Sequence, residues 1–126
     1  MKTIMTLVLF MFMSSAVFAG TKFTPEAFEA AQKKGESIIL DFYAPWCPTC
    51  RMQEQSFKEL EGKGLLKGIT HFTVDYDKEQ KVKQELKVPN QGMLLAFKGT
   101  KEVSRVNGSA SIEAIKAFLE NSFKQK

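Results

Sequence analysis

Asp41-Phe42-Tyr43-Ala44-Pro45-Trp46-Cys47-Pro48-Thr49-Cys50, DFYAPWCPTC, is the stretch on which the reading of this chain turns. It holds the only two cysteines, with two residues between them. An apolar run, Ile38 to Tyr43, leads into it, and Arg51 to Leu60, rich in good helix formers, follows it. The pair therefore belongs at a strand-to-helix turn, where it opens the helix. Unpaired N–H groups and the helix dipole favour negative charge there and lower the pKa of a cysteine. The spacing brings the second sulfur one turn on from the first. Dithiol exchange needs both features: Cys47 is assigned as the attacking thiol and Cys50 as the resolving thiol. Trp46 and Pro48 shape the rim, and Pro48 starts the helix where its missing N–H wastes no hydrogen bond.

Two other uses of the pair have to be weighed. A disulfide closing a loop of four residues removes little chain entropy, so a structural staple is a poor reading. Two thiols and one distant histidine, His71, do not close a zinc tetrahedron. A soft ion such as Cu(I), held by Cys47 and Cys50 with Met52 and Met93 beside them, is the alternative function. Methionines in such places more often serve packing. No cofactor and no dedicated metal ligand is assigned.

With 126 residues the chain has room for one domain with a real core. Its formal charge of +4 comes from lysines and arginines scattered among acids, without a basic run. That is a solvated surface and not a nucleic-acid footprint. Residues 1–19 are of different character. Lys2 precedes an apolar stretch from Ile4 to Met13, and Val17-Phe18-Ala19 is a small-x-Ala site. This pattern predicts a cleaved signal peptide over 1–19 and a domain over 20–126. The apolar stretch is too short to span a hydrocarbon core of about 30 Å as a helix.

Along the domain, Thr24-Pro25-Glu26 predicts a helix start, which Gly35 ends. The buried-type strand Ile38 to Tyr43 and the cysteine helix follow. Ile69 to Asp75 is a second strand, with Phe72 and Val74 alternating against Thr73 and Asp75. Lys78 to Leu86 is a short polar helix. Met93 to Phe97 and Glu102 to Val106 form a hairpin about Gly99, and Ile112, Ile115, Phe118 and Leu119 mark a last helix. Thr21 to Phe23 offers at most a scrap of strand. The order predicts an α/β fold with a mixed central sheet of about four strands flanked by helices.

The stretch DFYAPWCPTC, between a buried strand and a helix, resembles the thioredoxin family, and the order of elements matches over nearly the whole domain. The resemblance implies the thioredoxin fold and thiol–disulfide exchange with protein disulfide or thiol substrates. It implies that Asp41 is the buried acid behind the cysteines, catalytic as a proton relay to the resolving thiol. Many thioredoxins place a lysine near that acid, and His71 falls at about that position. It could tune Asp41 or take its proton, or it could simply face solvent or a backbone partner. Family members also carry a cis-proline, usually Pro-Thr, before the strand that Met93 to Phe97 matches, where it presents backbone to substrate. Counting back from Phe97 puts Gly92 in the proline's place and Met93 in the threonine's. Pro89 is the other candidate, with Asn90 to Gly92 as an inserted bulge. Gly92 and Met93 thus join Trp46 and Pro48 as expected substrate contacts.

The string WCPTCR looks like the reducing thioredoxins of cytochrome c maturation. Glu54-Gln55-Ser56-Phe57 is similar to the thioredoxin domains of membrane thiol:disulfide interchange proteins. No histidine stands between the cysteines to stabilise a thiolate as in strong oxidants. The expectation is a monomeric periplasmic reductant that draws electrons from a membrane donor.

Overall fold

The structure, a computed structural model, describes residues 20–124; the expected signal peptide lies outside them. The elements run β1 (Thr21–Lys22), α1 (Pro25–Lys33), β2 (Ser37–Tyr43), α2 (Pro48–Gly62), β3 (Ile69–Asp75), α3 (Gln80–Glu85), β4 (Met93–Lys98), β5 (Lys101–Asn107) and α4 (Ile112–Phe123). The five strands form one sheet in the order β1-β3-β2-β4-β5. The pairs β1/β3 and β3/β2 are parallel, whereas β2/β4 and β4/β5 are antiparallel. This is the thioredoxin fold. It has one strand more than about four, because Thr21 and Lys22 pair with Phe72 and Thr73. Two residues are too few for a strand period to register in sequence.

Hydrophobic alternation assigns the faces. Ile38, Leu40 and Phe42 of β2 join Phe72, Val74, Leu95 and Phe97 under α1 and α3. Ile39, Leu94 and Ala96 face the other way, against Phe57 and Leu60 of α2 and Ile115, Phe118 and Leu119 of α4. Strand β2 is thus buried on both faces, which is why its sequence is a continuous apolar run and not an alternating one. Thr24 caps α1 by accepting from the Ala27 amide, and Ser111 caps α4 by accepting from Ala114, both at 3.1 Å.

Helix α2 starts at Pro48 with Cys47 as its N-cap, as the proline and the cysteine pair predict. Helix α3 starts at Gln80, not at Lys78, because the Asp75 carboxylate takes the amides of Asp77 and Lys78 at 3.0 and 3.1 Å and holds them in a turn. Its C-terminal end is secured from a distance. The Arg105 guanidinium on β5 donates to the Leu86 and Lys87 carbonyls at 2.9 and 3.2 Å while paired with Glu102. Lys87 is the one non-glycine residue with positive φ among the described residues, at 54°. A side chain there costs roughly 1–2 kcal/mol in backbone strain. Lys87→Gly should therefore raise stability by about 0.5–1 kcal/mol after the extra chain entropy of glycine is subtracted. An upward shift of the urea midpoint at constant slope checks this; a downward shift would show that the lysine side chain outweighs the strain.

Candidate active site

The two cysteines sit where β2 ends and α2 begins, and they form a disulfide with Cα atoms 5.2 Å apart. Cys47 is the N-cap of α2, and its sulfur accepts from the Cys50 amide at 3.1 Å. A thiolate at Cys47 would keep that N–H and gain the field of the helix. Cys50 is completely buried, whereas Cys47 retains 4% exposure. The sulfur of Cys50 lies 3.8 Å from the Phe42 carbonyl, a sulfur–oxygen contact that a reduced thiol could use as a donor. An incoming disulfide therefore meets Cys47 first. Trp46 stands beside it with 57% of its surface in solvent, its indole N–H donating to Asp77 at 2.8 Å. Sequence reading missed Asp77; nothing local marks a turn acid thirty-one residues away as a tether.

Asp41 is buried on the α2 face of the sheet. Its Oδ2 lies 3.4 Å from His71 Nε2, and its Oδ1 has no hydrogen-bond partner among the described residues. The register explains the pairing. Asp41 is opposite Thr73 and Ile39 is opposite His71, so the acid and the histidine are diagonal neighbours on one face. His71 accordingly does not point to solvent: it is buried, its ring 4.1 Å from that of Phe57. Its Nδ1 also lacks a partner among the described residues, and the residue borders a cavity of about 400 Å³ with Gly20, Glu61, Lys67 and Thr70. On the other side Asp41 shares a cavity of about 80 Å³ with Tyr43, Glu54 and Thr73, large enough for a water molecule. Partial burial, and then the Glu54 carboxylate, hold the Tyr43 phenol above its ordinary value, so it remains a neutral donor. Glu54 was quoted in the sequence only as part of a resemblance; its place beside Asp41 follows from the turn of α2.

The loop before β4 comes next. Gly92 has φ of 79°, donates its amide to the Phe42 carbonyl at 2.8 Å, and accepts from Gly108 at 3.0 Å. A Cβ on Gly92 would lie 3.7 Å from Thr49 and 4.0 Å from Cys50 Sγ, so this residue faces the thiol pair. Pro89 is directed elsewhere: its carbonyl accepts from the Tyr76 hydroxyl at 2.9 Å, and it borders α3. Met93 packs its side chain into the core beside Val88 and Leu95, leaving only its backbone for a docking role. Gln53, fully buried in α2, donates to both the Gly92 and Ser109 carbonyls at 2.9 Å. It was missed because a polar residue in a helix reads as solvent-facing, although it shares the inward stripe of Cys50, Phe57 and Leu60.

Comparison with known proteins agrees with this geometry. The thioredoxin family model matches residues 20–121. A thioredoxin H-type of Brassica oleracea is 34% identical over 94 residues, covering 75% of each chain. Thioredoxin H5 of Arabidopsis thaliana is 33% identical over 88 residues, 70% of this chain and 73% of that one. Among solved structures, Trxlp from Edwardsiella tarda is 31% identical with a TM-score of 0.74, over 78% of this chain and 95% of that one.

The unpaired carboxylate oxygen of Asp41 gives a test with two independent readings. Asp41→Asn removes a proton acceptor but keeps the shape, so turnover should fall on the order of 10²-fold. The same change replaces a buried carboxyl group whose Oδ1 has no partner among the described residues by an amide of the same shape, so the urea midpoint should hold or rise. Insulin reduction across pH, with denaturation in parallel, measures both; full turnover at every pH would remove Asp41 from the chemistry.

Proposed function

The chain belongs to the thioredoxin family and is a thiol–disulfide oxidoreductase acting through the Cys47–Cys50 pair, and we propose that it works as an exported reductant of protein disulfides. The observation that carries the direction of attack is the placement of Cys47 as the helix cap, accepting from Cys50 N, with Cys50 buried behind it. The Cys47 thiolate attacks one sulfur of a substrate disulfide. A mixed disulfide forms and the first substrate thiolate leaves. Cys50, its proton taken by Asp41, attacks the Cys47 sulfur. The second substrate thiolate leaves, and the pair is left oxidised. Two electrons have passed to the substrate, and a separate donor must restore the dithiol.

Support for export comes from the composition of residues 1–19: one lysine, an apolar stretch, then a small-x-Ala site before Gly20. Support for reduction comes from Pro48 and Thr49. Neither adds positive charge between the cysteines, so the Cys47 thiolate gains its stabilisation mainly from the helix, and the disulfide is a moderate oxidant. In an oxidising periplasm such a protein needs electrons delivered across the membrane, so a membrane thiol donor is the expected partner, and the working form is a monomer. A soft-metal role is less well supported. Met93 turns its thioether into the core, away from the two sulfurs it was expected to flank.

Variants of the two thiols test the exchange. Cys47→Ser should abolish it, while Cys50→Ser should accumulate mixed disulfides with substrates; equal trapping by both variants would overturn the assigned roles. Alkylation of the cellular protein, read together with the mass of its mature N-terminus, tests the rest. A chain beginning at Gly20 with both cysteines reduced is expected. An intact leader, or a pair held fully oxidised in growing cells, would contradict export or reduction respectively.

A further inference from the structure

Gln53 stands one turn after Cys50, inside α2, where the neighbouring inward residues are Phe57 and Leu60. A primary amide is costly to bury unless it is bonded, and an aliphatic residue would fill the site without that cost. The amide here binds two main-chain carbonyls, one of them that of Gly92, which faces the thiol pair. Its Nε2 donates to Gly92 and to Ser109, each at 2.9 Å, while Oε1 has no partner among the described residues. The Gly92 carbonyl is thereby held twice, by Gln53 and by the Gly108 amide. One side chain joins α2, the loop before β4 and the turn after β5.

Gly92 needs such a restraint. It brings the loop up to the thiol pair, and as a glycine at φ of 79° it has the freest backbone in the chain's repertoire. A docking loop must be held in its bound shape beforehand, or the ordering cost is taken from substrate affinity. We propose that Gln53 is a positioning residue for peptide substrates: its amide fixes the Gly92 carbonyl, and so sets the backbone against which an extended, disulfide-bearing segment docks beside Cys47. The inference rests on the exchange reading and adds its recognition step. A disulfide of small molecules reaches Cys47 without that backbone and draws little benefit from the latch.

The test compares two substrates in the full chain. Gln53→Met keeps the length and apolar stem and deletes both hydrogen bonds. For a peptide disulfide its KM should rise roughly tenfold with kcat nearly retained. Its rate with a small aromatic disulfide should fall far less. Gln53→Asn, which keeps the amide one methylene short of the carbonyls, gives the same split and serves if the methionine variant does not fold. An unchanged KM in a folded variant overturns the latch, and so does an equal loss with both substrates, which would make Gln53 mere structural support. A wild-type chain that exchanges neither disulfide overturns the exchange reading itself, which is a different outcome from either.

Discussion

The hydrogen bond from the Gly92 amide to the Phe42 carbonyl, at 2.8 Å, is the join on which the site depends. Strand β2 pairs with β4 only as far as Asp41 opposite Leu94. Beyond that the two strands part, and the chain of β2 continues toward the cysteines. The Gly92–Phe42 bond carries the contact one step past the ladder and draws the loop in over the start of α2. The same carbonyl lies 3.8 Å from Cys50 Sγ. The strand end therefore positions both the resolving sulfur and the loop that approaches it. A side chain with a fixed negative φ cannot take the place of Gly92 in this arrangement, because its φ of 79° is what turns the amide back to Phe42.

Much of this was legible. The strand–turn–helix around WCPTC needs only an apolar run, a proline at N1 and helix formers after it, and each of these is a local preference that the tertiary structure left in force. The position of His71 was less legible for a specific reason. Phe72 and Val74 alternate with Thr73 and Asp75, and that alternation puts His71 on the polar-looking side of β3. Such a side reads as solvent-facing. But β3 is an interior strand, flanked by β1 and β2, and α2 covers the face. Whether a face is covered is decided by the whole chain, not by the strand's own sequence. Gln53 and Glu54 were hidden in the same way, since their meaning comes from what stands across from α2.

The two faces of the sheet carry different burdens. The α1/α3 side holds a cluster of aromatic and aliphatic side chains, with Phe23, Phe28, Phe72 and Phe97 meeting at tilted or edge-to-face angles. Nearly all the buried polar groups lie on the other side. Asp41 and His71 lie under α2, Gln53 reaches to Gly92 and Ser109, and Ser56 donates to the Ala110 carbonyl at 2.6 Å. Each polar group here forgoes apolar packing, and three buried atoms (Asp41 Oδ1, Gln53 Oε1 and His71 Nδ1) lack a partner among the described residues. A structure selected for stability alone would not keep them. Both faces hold an apolar cluster, and only the α2 side sets the polar groups of the site among its apolar residues.

That division suits a protein whose disulfide must open and close. A four-residue loop contributes little chain entropy when cross-linked, so the fold gains little from the bond and loses little when it breaks. Stability must then come from elsewhere, and α2 must stay in place while its first turn changes covalent state. The interior of α2 meets this need. Phe57 and Leu60 anchor it in the core, while Gln53 and Ser56 bind it to the backbone of residues 92 and 109–110. Reduction alters Cys47 and Cys50 at the helix start, upstream of all four anchors. The anchors that hold the helix and the loop thus lie outside the turn whose covalent state changes, so the helix N-terminus is held toward the sulfurs by contacts that do not depend on the disulfide.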